Sequence, residues 1–325
     1  MELLQKILDA GVVGAGGAGF PTHVKLDTKV DCLLINAIEC EPLLYTDKYI
    51  MNNFATDVVD GVDLAANHLG ATQVYIGIKR TNEKEISSIQ KAIDERNSKA
   101  KIFPVDNYYP SGDEHMLVYE ITGKTVPQGG IPLDVGIVVS NVGTMRDIFK
   151  ASKDEAVTHK FLTVTGEVAN PTVIFVPIGT SFEECIQACG GPTISNYKVI
   201  SGGPMMASIY EKEEESNLFV TKTTSGIILI KEDKNFNATL KETHLGHVLN
   251  RAKAACIRCR LCTDLCPRHL IGHRLHPHRI MRSMAASNFK KEYVIENQEV
   301  LKEALICCEC SICETYACPM ELLPR

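Results

Sequence analysis

The chain has 325 residues, a hydrophobic fraction of 45% and a formal net charge of −6. Its length implies two or three domains, and the negative charge argues against a general nucleic-acid binder, which needs a basic footprint. No apolar run of about eighteen residues that would cross a membrane is present, and "MELLQKILDAG" at the N-terminus is amphipathic and partly acidic, unlike a secretory or lipidation signal.

Leu3, Leu4, Ile7 and Leu8 recur at helical spacing. The glycine run "GAGGAG" (Gly14 to Gly19) follows. A dinucleotide fingerprint needs a strand before it and a helix directly after. Here a helical pattern precedes, and Phe20-Pro21 follows, the proline disfavouring helix at Phe20. The run reads instead as a cradle for a phosphate or a ring, because glycine lets backbone amides approach a ligand closely. Lys25 adds a positive charge nearby.

The apolar run Cys32–Ile35 predicts a buried strand ending at Asn36, with Glu39, Glu41 and Pro42 just beyond. Polar groups past the carboxyl ends of strands are where open α/β sheets bind ligands. Residues 72–80 predict a second strand, and residues 135–144 another that ends at Asn141 and Thr144. Between them, Tyr109, Gly112, Asp113 and Glu114 fall at a helix start. Each of these residues alone reads as a cap or turn; their convergence at strand ends points to a site.

From residue 160 the pattern changes. "KFLTVTGEV" and "TVIFVPIG" predict strand, turn and strand, and "TSFEECIQACGG" predicts a helix capped by Thr180 or Ser181 and stopped by Gly190-Gly191. "YKVISGGPMM" predicts a further strand, completing a β-grasp pattern. Cys185 and Cys189 share a helix face and read as buried structural cysteines. "EKEEESN" (211–217) reads as a solvated charged loop or edge. Residues 240–325 read as helices separated by cysteine loops, over "THLGHVLNRAKAA", "HRIMRSMAASNF" and "ENQEVLKEALI".

Nine of the thirteen cysteines lie after residue 255, whereas a secreted disulfide scaffold would be small and would spread its bridges. The clustering fits a reducing compartment and a cysteine-ligated centre. Cys256, Cys259, Cys262 and Cys266-Pro267 have the spacing of a [4Fe–4S] run, in which three thiolates hold one cube and the fourth serves the other. Cys307, Cys310, Cys313 and Cys318-Pro319 repeat it with one extra residue before the last cysteine. The expected ligand sets are therefore Cys256, Cys259, Cys262 and Cys318, and Cys307, Cys310, Cys313 and Cys266, with Cys308 left over. Two zinc sites would use paired CxxC knuckles instead. Residues 251–290 hold nine Lys or Arg and one acid, Asp264, which reads equally as a solvated face and as cations that raise a cluster potential. His269, His273, His276 and His278 lie in the same stretch, but cysteine is the default cluster ligand.

"GAGGAGFPTHVKL", "INAIECEP", "YPSGDEHMLVYEITGKTVPQGGIP", "NVGT" and "SGGPMM", followed by the two cysteine runs, resemble the RnfC-like family, relatives of the flavin- and NADH-binding subunit of respiratory complex I. The resemblance covers essentially the whole chain and is strongest to the cobalamin-reductase subgroup of propanediol-utilisation microcompartments. It implies an α/β flavin-binding domain over residues 1–155, a β-grasp domain of SLBB type over 156–235, and a mostly α-helical, ferredoxin-like domain with two [4Fe–4S] clusters over 236–325. It also implies FMN bound by Gly14, Gly16, Gly17, Lys25, Asn36, Glu39, Tyr109, Gly112, Asp113, Glu114, Asn141 and Thr144, reduced by NADH. The implied acceptor is cobalamin or a cobalamin-handling enzyme, in the cytoplasm or inside a bacterial microcompartment, with other electron-transfer subunits as partners. The family implies a further C-terminal domain beyond residue 325. Ala15 stands where complex I relatives have arginine, and Ile38 where they have an acid. These departures keep open the alternative, a non-catalytic relay subunit of an RnfC-type or proline-reductase-associated complex, without flavin or substrate of its own. A cobalamin-binding protein built on the β-grasp module lacks a cobalt-ligating histidine loop.

Overall fold

The computed structural model describes residues 2–206, 208–231, 244–287 and 290–325. The chain divides into two compact units, Met1–Lys124 with Pro132–Lys231, and Thr125–Ile131 with Glu232–Arg325. The expected boundary between residues 235 and 236 lies outside the described residues.

The first unit contains a parallel sheet of β1 (Cys32–Asn36), β2 (Gln73–Lys79), β3 (Lys101–Val105) and β4 (Ile137–Asn141), in the order β3-β2-β1-β4. Leu33, Leu34 and Ile35 of β1 are fully buried, as expected for a central parallel strand covered on both faces. Leu33→Ala would cost about 2–5 kcal/mol through lost burial and a residual cavity. One face carries α4 (Ala55–Leu69) and α7 (Val142–Ser152). These helices approach so closely that a Cβ on Gly61 would lie 1.9 Å from the Met145 carbonyl oxygen, so only glycine fits. α5 (Glu83–Arg96) packs against α4 and returns the chain to β3, a strand that the sequence pattern does not mark.

The same unit holds a mixed five-stranded sheet, in the order β6-β5-β9-β7-β8. β5 (His159–Gly166) and β6 (Thr172–Pro177) form the expected hairpin, β7 is Tyr197–Ser201, β8 is Ser208–Glu211 and β9 is Gly226–Lys231. α8 (Phe182–Ala188) starts on a capping box between Ser181 and Glu184. It buries Phe182, Cys185 and Ile186 against Val199 and Leu229, and Cys189 is buried beside them. The acidic stretch is more than a solvated loop. Lys212–Asn217 forms a 3-10 turn, Glu211 pairs with buried Lys198 at 2.6 Å, and the Tyr197 hydroxyl donates to Glu215 at 2.9 Å.

In the second unit, α9 (Leu245–Ala255) packs against α12 (Pro277–Ser287) through Leu249, Ala252, Met281 and Ala285, with Leu322. Between them lie two short helices, α10 (Leu261–Asp264) and α11 (Pro267–Leu270). The segment Thr125–Ile131 is tied to this unit. The ring Nε2 of buried His273 is 2.8 Å from the Val126 carbonyl oxygen, and Thr125 donates to the Ile271 carbonyl. No helix of the described residues is long and apolar enough to cross a membrane.

Candidate functional site

In the order β3-β2-β1-β4, the chain leaves β1 toward β2 on one side and returns as β4 on the other. The carboxyl ends of β1 and β4 are thus a topological switch point, the usual ligand crevice of an open α/β sheet. Asn36 and Asn141 are register partners there. Asn36 Nδ2 donates to the Gly112 carbonyl at 2.8 Å, and the Gly112 N–H is directed at the Cys40 thiol. A Cβ on Gly112 would lie 2.9 Å from Cys40 Sγ and 3.1 Å from the Ile38 oxygen, so the two loops meet where only glycine fits. Asp113 then caps α6 (Glu114–Thr122), accepting from the N–H groups of His115 and Met116.

Asn141 accepts from Gly143 N–H to cap α7, and its amide donates to Asp47 at 2.9 Å. β4 therefore ends at Asn141. Thr144 is not at a strand end as expected; the asparagine cap starts a helix, which buries Thr144 in its first turn. There its hydroxyl oxygen accepts from Ala15 N–H at 2.9 Å, supporting the glycine run from below.

The glycine run lies between α1 (Leu3–Asp9) and α2 (Thr22–Leu26). A helix does follow almost at once, because Pro21 precedes rather than interrupts it. The loop is closed by Gly14 N–H to Phe20 O at 2.9 Å and Gly19 N–H to Gly14 O at 3.2 Å. Gly16, Gly17 and Ala18 are exposed, and their N–H groups have no partner among the described residues. Gly17 has φ +117°, a conformation that side chains other than hydrogen resist. Gly16 packs against Asn141, where a Cβ would come within 3.3 Å of its Cβ. Lys25 is not a free cation beside this loop. Its ammonium pairs with Glu114 at 3.1 Å and donates to the Val139 carbonyl at 3.0 Å.

A buried charge group, unmarked by the sequence pattern, supports the loop. Lys160 donates to the Ala15 carbonyl at 3.0 Å and sits near Asp47 and Asp147. Burial lowers the Lys160 pKa, with both aspartates opposing. Burial raises Asp147 to about 6, Lys160 and Arg146 acting against it. Glu39 accepts from the N–H of Lys48 at the start of α3 (Thr46–Asn53), and burial followed by Asp47 pushes its carboxyl up to about 8. Glu41, one of the polar groups expected past the end of β1, accepts from the Tyr109 hydroxyl at 3.4 Å and Met205 N–H at 2.9 Å. An open pocket alongside is lined by Tyr45, Lys48, Tyr49 and Asn82. The Asn82 amide nitrogen is buried there without a hydrogen-bond partner among the described residues.

In the second unit, the two cysteine runs share one backbone conformation. Arg258 and Arg260 flank Cys259 with φ +61° and +69°; Glu309 and Ser311 flank Cys310 with φ +55° and +64°. Such left-handed residues cost about 1–3 kcal/mol each and persist where function requires them. Alternating hands point successive N–H groups inward, a nest suited to an anionic centre such as an iron–sulfur cluster. Glu309 N–H donates to Cys307 Sγ at 3.3 Å, and Leu322 N–H to Cys318 Sγ at 3.4 Å.

The thiols gather across the two runs. Cys262 is raised to about 11 by burial and by Cys318, Cys259 and Cys256. Cys266, at about 11 through burial, instead has Cys308 and Cys307 beside it and accepts from the N–H groups of His269 and Arg268. Cys313 neighbours Cys307 and Cys266, and Cys310 is hydrogen-bonded to Cys308. The extra residue of the second run is absorbed by a π-helical turn, Cys313–Ala317, where the first run has the α-turn Leu261–Asp264. His276 Nδ1 pairs with Glu303 at 2.8 Å and His278 Nδ1 with Thr263 Oγ1 at 2.6 Å.

Three family models match this chain: the Nuo51 FMN-binding domain over residues 7–150, the SLBB domain over 161–207 and a 4Fe-4S dicluster domain over 255–323. The cobalamin reductase PduS of Citrobacter freundii is 38% identical over 322 residues, covering 98% of this chain and 68% of that protein. Its Salmonella typhimurium counterpart is 39% identical over 325 residues, covering 99% and 69%. The chain belongs to the RnfC-like family. One component of the Na(+)-translocating ferredoxin:NAD(+) oxidoreductase complex of Acetobacterium woodii is 38% identical over 270 residues, 81% of this chain and 57% of that component. The crystal structure of an NAD+-reducing [NiFe]-hydrogenase in the H2-reduced state matches with a TM-score of 0.66 at 20% identity, covering 96% of this chain and 58% of that one. The chain is thus a flavin and iron–sulfur electron-transfer protein with an N-terminal FMN domain, a central SLBB domain and a C-terminal dicluster domain.

The residues present fit these groups. The free N–H groups of Gly16, Gly17 and Ala18 suit a flavin phosphate, as do other backbone nests, without needing Lys25. The gathered thiols and inward-facing amides of the second unit suit two [4Fe–4S] clusters.

Proposed function

We propose that this protein takes electrons from NADH and passes them to cobalamin presented by a cobalamin-handling enzyme, in the cytoplasm or the interior of a bacterial microcompartment. The observation that carries this reading is the pairing, in one chain, of a glycine cradle at the β1/β4 switch point with two nested cysteine loops. When bound, FMN supplies hydride acceptance and one-electron release, and the clusters supply one-electron transfer.

In this reading Gly16, Gly17 and Ala18 hold the flavin phosphate through their N–H groups, and Asn36 and Asn141 set the crevice walls. Glu39 and Tyr109 complete the site. Lys25, Asp113, Glu114 and Thr144 position its loops, and Gly14 and Gly112 permit their close approach. Tyr45 and Tyr49 offer exposed aromatic faces to the nicotinamide nucleotide, and Lys48 offers it a cation. Cys256, Cys259, Cys262 and Cys318 hold one cluster; Cys307, Cys310, Cys313 and Cys266 hold the other. The domain limits fall at residues 155 and 235.

The test is anaerobic reconstitution followed by NADH. Bleaching of the iron–sulfur absorbance, and oxidation of NADH when hydroxocobalamin is added, are the expected results; an unbleached spectrum rules the NADH route out. Ala15 and the engaged Lys25 favour a second reading, a non-catalytic relay subunit of a larger RnfC-type complex that oxidises no NADH of its own. Bleaching of the iron–sulfur absorbance by NADH alone excludes it.

A further inference from the structure

The two cysteine loops have the same backbone but opposite surroundings. Cys259 is exposed between exposed Arg258 and Arg260, whereas Cys310 is 8% exposed, between Glu309 and buried Ser311. Among the described residues Arg258 makes no ion pair, and the ion pair of Arg260 is with exposed Asp264 at 3.4 Å. Arg260, Arg279 and Arg282 gather around His278, and Arg279 reaches Glu303 at 3.9 Å. Ile257 and Leu261 lie beside Cys259, 61% and 41% exposed. The chain carries a net charge of −6, yet residues 251–290 hold a single acid.

We infer that the face around Cys259, made by Ile257, Arg258, Arg260, Leu261, Arg279 and Arg282, is the docking surface for an acidic redox protein. Left-handed arginines have no steric reason to occupy both positions, since glutamate and serine fill the same conformations in the second loop. What the arginines add is charge around the thiol most open to solvent. A positive patch with a small apolar centre suits a transient, electrostatically steered encounter, which uses a small interface and exchanges quickly. The partner is fixed by that charge: an acidic surface around a one-electron centre. Each productive encounter oxidises this protein by one electron and reduces the partner by one, with no bond made and no proton moved. The inference rests on the electron-transfer reading above and names the side on which its acceptor protein docks.

Two exposed charges of this face lie outside the cysteine loops and give a test that leaves the cluster nest intact. Arg279→Gln with Arg282→Glu removes one and reverses the other. The iron-loaded protein is titrated with an acidic [2Fe–2S] ferredoxin as probe, at rising salt. The expected result is binding that weakens at least tenfold between about 20 and 200 mM salt as the charges are screened. At low salt the double variant binds at least tenfold more weakly, its iron content unchanged, and Lys91→Glu on α5 has no effect. Equal binding by wild type and double variant, a salt-independent affinity, or equal binding of basic cytochrome c overturns the inference. NADH bleaching is measured on the same samples. Its failure would refute the NADH route and leave the docking result standing, and the reverse also holds.

Discussion

Asn36 and Asn141 are register partners at the carboxyl ends of β1 and β4, and their side chains engage different segments. Asn36 clamps the Gly112 carbonyl; Asn141 caps α7 and holds Asp47. Two side-chain amides thereby fix the loops that follow the paired strand ends.

Asn141→Ala removes a helix cap and leaves Asp47 without its amide donor. A lost cap costs about 0.5–2 kcal/mol. We expect an unfolding free energy, from urea titration, lower by about that amount and a lower FMN content after gel filtration. Asn141→Asp keeps the cap acceptor but sets a second carboxylate against Asp47, so it retains more stability than alanine at low pH and loses that advantage as pH rises.

Gly112→Ala places a methyl group 2.9 Å from Cys40 Sγ. The thiol and the Ile38 carbonyl must give way, which separates the loop after β1 from the start of α6. FMN per chain, measured by fluorescence after acid extraction, should fall several-fold while the iron content holds.

The carboxyl of Glu39 lies near 8 in the folded chain, through burial and then Asp47, against 4.5 for the ordinary group. The folded state therefore binds the extra proton, and stability falls as pH rises between about 4.5 and 8. Glu39→Gln keeps an acceptor for Lys48 N–H without a charge. It should flatten the urea midpoint over that range and be the more stable form at pH 8. Parallel pH profiles for the two proteins would contradict this.

Cys308 is hydrogen-bonded to Cys310 and neighbours Cys266. With four other thiols assigned to that site, Cys308→Ser should keep the full iron and sulfide content, and Cys310→Ser should lose about half. If Cys308→Ser loses half, Cys308 and not Cys307 is the ligand.

Local features were legible in the sequence. The cysteine spacing within each run, the capped start of α8 and the apolar run of β1 are set by neighbours a few residues apart, and short-range geometry constrains them directly. The same local logic failed at Thr144, where the asparagine before it starts a helix, and at Lys25, whose charge is taken by a glutamate distant in sequence. The spacing also implies which thiols meet across the runs; tertiary structure alone decided that Lys160 supports the glycine loop and that one cysteine loop faces solvent while its copy is buried. Those outcomes depend on packing between segments far apart in the chain, and residue spacing carries no information about which of two equal loops the fold will cover.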